Sequence, residues 1–165
     1  GGLVDTARRV RAQVVIEINV NSALQVPTSP GVEVWVLRDT PSARLAALMA
    51  EQIALHAGMN NRGVRYVYPG WQGYSSRWDE LQRMGVLHVL TENGFINHPG
   101  DEAKLRDPNV IQAIAYGHLA GIHRYFNLPD PSRQQQSVVR KLVPWLIVIP
   151  AAAIGGVIVW RLARR

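Results

Sequence analysis

Five histidines, His56, His88, His98, His118 and His123, are the side chains of this sequence best suited to hold a transition metal, and there is no cysteine to join them. Their spacing builds no site. There is no HxH pair and no HExxH helix, so no two imidazoles are set side by side on one face. His56 and His118 fall in helical patterns and read as surface or packing residues. His88 falls mid-strand and reads as a core or sheet-face residue, and His123 beside Tyr125 and Phe126 reads as helix packing. A second chemistry is offered by residues 66–78, YVYPGWQGYSSRW. Its rings, Trp71 among them, can stack on sugars, and Arg77 can meet a carboxylate; the plainer reading is a loop whose aromatics pack onto a sheet.

The elements that must position these residues alternate in type. Residues 4–12 have helical spacing, with Arg8, Arg9 and Arg11 outward. Residues 14–18 (VVIEI) and 32–37 (VEVWVL) are β-branched runs that predict strands, joined by a proline-containing loop over 19–31. Pro41 suits a first helical turn. Leu45, Leu48, Met49, Gln52, Ile53 and His56 then recur every three or four residues until Gly58. A third strand is expected at 64–68, a helix at 75–84, a strand at 86–91 ending on Glu92, and a long amphipathic helix at 108–126. Strands alternating with helices predict an α/β domain over 1–126, with a central, mostly parallel sheet covered by helices on both faces.

The formal charge of +6 is concentrated at one end. Arg140, Lys141, Arg161, Arg164 and Arg165 flank the run 142–160, LVPWLIVIPAAAIGGVIVW, which carries no charge. Without those five, 13 basic residues face 12 acidic ones, so the domain is near neutral and a nucleic-acid partner is not expected. The length and flanks of the run predict one C-terminal transmembrane helix, with Trp145 and Trp160 near its ends. Residues 127–141 are then a polar linker, 161–165 a basic tail, and the chain membrane-anchored.

Four blocks, in order, resemble the zinc-dependent N-acetylmuramoyl-L-alanine amidases: AQVVIEINVNSA at 12–23, GVEVWVL at 31–37, NRGVR at 61–65 and VLTENGFINHPGDEAKL at 89–105. The helix ending GIHRYF also suits their closing helix. The resemblance implies a peptidoglycan hydrolase of the bacterial envelope or of a phage. It would cut the amide between N-acetylmuramic acid and L-alanine with a water activated by zinc. It places Glu92 as the catalytic general base, and Asn21, Arg62 and Trp71 as substrate contacts. In the same resemblance one zinc-binding histidine falls on Asn19, a poor ligand beside imidazole. The other two ligand positions lie upstream of the first block, and His98, just past Glu92, is the one histidine near the motif. No intact zinc site is therefore expected, and zinc, the cofactor of such enzymes, is expected to be absent here. Two functions stay open: a peptidoglycan amidase, and a metal-free amidase-fold module that binds cell wall or a partner.

Overall fold

The computed structural model describes residues 2–131, 147–151 and 155–160. In chain order the elements are α1 (Leu3–Arg9), β1 (Val14–Asn21), β2 (Val32–Leu37), α2 (Ser42–Ala57), β3 (Asn61–Val67), α3 (Ser76–Arg83), β4 (Leu87–Phe95), α4 (Pro99–Leu105), α5 (Pro108–Tyr125), β5 (Ile147–Ala151) and β6 (Gly155–Trp160). Alternation along the strands divides the apolar residues between two faces of one sheet. Val14 and Ile16 of β1, Val32, Val34 and Val36 of β2, and Val89 of β4 form the main core with Leu45, Met49 and Ile53 of α2 and Ile114 and Ile122 of α5. On the other face Val15 packs with Ala7 of α1 and Leu81 of α3, and Leu37, Val67 and Trp78 gather a smaller aromatic cluster. Helices cover both faces, as the alternation predicted.

The sheet is mixed rather than mostly parallel. Its order is β3-β2-β4-β1-β6-β5. The β1–β4 and β2–β3 pairs are parallel, but β2 and β4 are antiparallel, as are β1–β6 and β5–β6. The physical reason lies between β1 and β2. Only a loop joins them, and without a crossover helix the chain is free to return in the opposite direction. β4 then fills the place between them.

The strands also run further than their apolar cores suggested. β1 continues through Asn19 to Asn21, β3 begins at Asn61, and β4 continues through Glu92 to Phe95. Near its end β4 slips register against β1: Asn19 faces Glu92, but Asn21 faces Phe95. Gly94 makes the irregularity possible. Its φ is +101°, and a β-carbon there would stand 2.6 Å from Met59 Cε. The buried Asp101 of α4 then accepts the backbone N–H of Phe95 at 3.0 Å and of Gly31 at 2.9 Å, tying the end of β4 to the start of β2.

The transmembrane helix expected over 142–160 is corrected by strands. Residues 147–151 and 155–160 form β5 and β6, with β6 antiparallel along β1 from Val14 to Asn19. Ile147, Val148, Ile149, Val157, Ile158 and Val159 are β-branched, Gly155–Gly156 disfavours a helix, and the β1 edge offers backbone partners. Pro150 stands on the edge strand β5, where its missing N–H is tolerated. Among the described residues no helix is long and apolar enough to cross a membrane. Of the expected linker, residues 132–141 lie outside the described residues, as do 142–146, 152–154 and the basic tail 161–165.

Candidate active-site cleft

Strand register assembles the cleft from side chains far apart in sequence. Asn19 of β1 and Glu33 of β2 are both in register with Glu92 of β4, so the three form one row across neighbouring strands. Leu90 lies one row along, flanked by Glu17 and Trp35. This face is covered by α3 and by the turn before it. Asn21, Trp35, Trp71, Trp78, Leu90 and Glu92 are among the residues lining a cavity of about 210 Å³.

Two carboxylates in the row live in opposite surroundings. Glu33 is buried and saturated with donors. Asn21 Nδ2 donates to it at 2.9 Å, Trp35 Nε1 at 3.1 Å, Arg62 Nε at 2.8 Å and Arg65 Nε at 3.3 Å. Glu92 is half-buried, and its Oε2 has no hydrogen-bond partner among the described residues. Burial first, and the neighbouring Glu33 charge second, push Glu92 up to about 7. At neutral pH it is therefore present in both forms, able to give a proton or take one.

One row further in, Arg77 and His88 converge on Glu17. Arg77 reaches both carboxylate oxygens, at 3.1 and 2.9 Å, and His88 Nε2 lies 2.9 Å from Oε1. Burial works to raise the Glu17 pKa. The hydrogen bond and charge of His88, with the charge and hydrogen bond of Arg77, outweigh it and hold the carboxyl below its ordinary value. Through Arg77 this cluster fastens α3, the wall of the cleft, to the sheet floor. The meeting of Arg77 with a carboxylate, anticipated from sequence, is thus internal.

The other expected site residues are placed as follows. Asn21 and Trp71 line the cavity with Glu92. Arg62 stands beyond Glu33, its guanidinium 4.8 Å over the Phe95 ring, with a further hydrogen bond to the Ser29 carbonyl. His98 does not turn to the cleft; it caps α4, its Nδ1 accepting from Asp101 N at 3.2 Å. His118 is buried, its Nδ1 2.8 Å from the Ile114 carbonyl oxygen and its Nε2 2.9 Å from Thr91 Oγ1, and burial pulls it down to about 4. His123 packs at 2.6 Å from the Pro129 carbonyl, and His56 is exposed, edge-on to Tyr116. Sequence reasoning passed over Glu33 and Trp35 as strand residues. The available signal was a lone acid inside an otherwise apolar β-branched run, an expensive residue to bury without partners.

These residues do not fit a catalytic zinc, which takes three protein ligands, usually imidazole and carboxylate. Asn19 is a neutral amide, Glu33 is spent on four donors, and His88 is engaged by Glu17. Among the described residues no three His, Cys, Asp or Glu converge to hold a metal.

Comparison with known proteins places the whole cleft within one matched region. The family model described as N-acetylmuramoyl-L-alanine amidase matches residues 3–124. The chain is 31% identical over 88 residues to the N-acetylmuramoyl-L-alanine amidase CwlM of Bacillus licheniformis, covering 53% of this chain and 31% of that protein. It is 26% identical over 139 residues to the endolysin of Bacillus phage SPP1, covering 79% and 47%. In fold it is similar to the N-acetylmuramoyl-L-alanine amidase of Clostridium difficile 630, with a TM-score of 0.63 at 21% identity, covering 75% of this chain and 63% of that one. The chain thus spans from about a third to about half the length of these two curated relatives.

Proposed function

The chain belongs to the N-acetylmuramoyl-L-alanine amidase family, and from that premise we propose that its cleft engages peptidoglycan around the amide between N-acetylmuramic acid and L-alanine. The observation that carries this is Glu92, a carboxyl poised near neutrality at the end of β4, facing an aromatic cavity. In this reading Glu92 meets the amide and is the group that exchanges protons with it. Trp71 offers a ring to the substrate and Asn21 an amide, and Arg62, beyond Glu33, offers a cation further along the sheet. The setting is the bacterial envelope or a phage that attacks it.

Two forms of this function differ in outcome: hydrolysis of the amide, and wall binding without hydrolysis. The donor set around Asn19, which does not fit zinc, favours binding for this chain. Relatives named as amidases favour hydrolysis where a metal site is complete. The test is co-sedimentation with purified peptidoglycan alongside assay of released free peptide. Binding with little or no release is expected, and calorimetry is expected to find no stoichiometric zinc. Asn19→His alone is expected not to restore full activity, since one imidazole does not make a three-ligand site. Peptide release accompanied by about one zinc per chain would overturn the binding form, and failure to sediment with the wall would overturn the proposal itself.

A further inference from the structure

Thr91, Asn93 and His118 are polar, yet they are buried on the side of the sheet that α5 covers. Thr91 and Asn93 alternate with Glu92 along β4, so while Glu92 faces the cleft they face the opposite side. There they meet His118, and the protons available set the direction of every bond. His118 Nδ1 lies 2.8 Å from the Ile114 carbonyl oxygen, which can only accept, so Nδ1 carries the ring proton and Nε2 is left as an acceptor. Burial draws the His118 pKa down to about 4, which keeps Nε2 bare at neutral pH. Thr91 then donates its hydroxyl to Nε2 at 2.9 Å rather than to the Glu17 carbonyl at 3.3 Å. The Thr91 oxygen accepts from Asn93 Nδ2 at 3.2 Å, and Nδ2 also donates to the Asn19 carbonyl at 2.9 Å. The bonds run from α5 through β4 to β1 and end on the backbone of Asn19, the residue in register with Glu92.

Such a chain is not needed to fill the core. Apolar side chains of the same shape would occupy the space without desolvating polar groups, and Asn93 Oδ1 has no partner among the described residues. What the polar chain supplies is geometry, because each bond holds only over a narrow range of distance and angle. It supplies it where the sheet is irregular: β1 and β4 slip register between Asn19 and Asn21, directly beyond the Asn19–Glu92 pair. We propose that His118 is a positioning residue for the cleft, acting through Thr91 and Asn93 to hold the ends of β1 and β4, and with them Asn19 and Glu92, from the far side of the sheet. This rests on the reading of Glu92 as the working group of the cleft, and is independent of what binds there.

The test follows the Glu92 carboxyl by 13C NMR across pH 4–9 in the whole chain and its variants. Thr91→Val removes the hydroxyl and His118→Leu removes the acceptor. In both, the Glu92 midpoint is expected to fall from about 7 by about half a pH unit or more, as loosened strand ends admit water. Thr91→Ser keeps a hydroxyl and His118→Gln keeps an acceptor, so both are expected to retain the wild-type midpoint. Ile122→Val trims the same helix within the main core and is expected to leave Glu92 unmoved, whereas a merely structural role would make all the core variants alike. An unmoved midpoint in Thr91→Val and His118→Leu, each shown by circular dichroism to be folded, or an equal shift in Ile122→Val, would overturn the proposal. The wild type supplies a check that needs no variant. At pH 7 the 15N shifts of the His118 ring are expected to show a protonated Nδ1 and a bare Nε2, and the opposite tautomer would break the chain of bonds and the proposal with it. Sedimentation with peptidoglycan is measured beside these. Expected Glu92 shifts without sedimentation would sink the wall reading and leave the positioning role standing. Sedimentation with a Glu92 that no variant moves would do the reverse.

Discussion

Replacing Glu92 by glutamine tests the electrostatics of the cleft most directly. Raising the carboxyl from an ordinary 4.5 to about 7 corresponds to about 3 kcal/mol, at about 1.36 kcal/mol per pH unit. Glu92 is only half-buried, so water screens part of this, and about 2 kcal/mol is the working figure. The sign follows from proton linkage. Between pH 4.5 and 7 the folded chain holds the Glu92 proton and the unfolded chain has released it, so the wild type loses stability as pH rises through that window. The glutamine side chain of the variant stays neutral throughout and escapes the loss. Glu92→Gln is therefore expected to match the wild type near pH 4, to gain progressively above pH 4.5, and to lead by about 2 kcal/mol at pH 8, roughly 6 °C in Tm. Paired denaturant or thermal unfolding of the two proteins across pH 4–8 measures this, and taking the difference cancels the titrating groups that do not interact with Glu92. A pH-independent difference, or a glutamine variant that is less stable at pH 8, would refute a desolvated Glu92 beside Glu33.

Glu33→Ala removes the acceptor of four donors at a buried position. It is expected to cost about 3 kcal/mol in urea unfolding, while NMR titration of Glu92 shows its pKa falling toward the ordinary carboxylate range. Gly94→Ala must adopt a φ of +101° against Met59, and a loss of about 2 kcal/mol is expected by the same unfolding assay. His118, held down to about 4 in the fold, takes up its proton near pH 6.5 only when unfolded. His118 thus contributes a loss of about 3 kcal/mol as pH drops from 6.5 to 4, opposed over much of that window by the gain from Glu92. The part of that slope due to His118 should vanish in His118→Gln.

Local chemistry is what the sequence recorded well. Apolar runs at three- and four-residue spacing gave α2 and α5, because burying one stripe of a helix needs nothing but the order of residues along it. β-branched runs gave the cores of β1, β2 and β4 for the same reason. The segment around Glu92 was legible as a strand end with a carboxylate. The ends of the strands were not, since Asn19, Asn21 and Asn93 are poor strand formers held extended only by their neighbours. The 147–160 run shows the limit of reading an apolar stretch by itself. Its lack of charge suits a bilayer, but its β-branched residues also suit an open strand edge, and the neighbour β1 decided between them.

The sequence by itself determined which residue types are available: one strand-end glutamate, a cluster of indoles, no cysteine, and no histidine pair spaced for a metal. Tertiary structure alone decided what they do to one another. Pairing β2 antiparallel to β4 set Glu33 beside Glu92, fifty-nine positions away in the chain. Donors from β1, β2 and β3 then saturated one acid with hydrogen bonds, while burial left the other near neutrality. A carboxyl's pKa depends on what surrounds it within a few ångströms, and that shell is drawn from every strand at once.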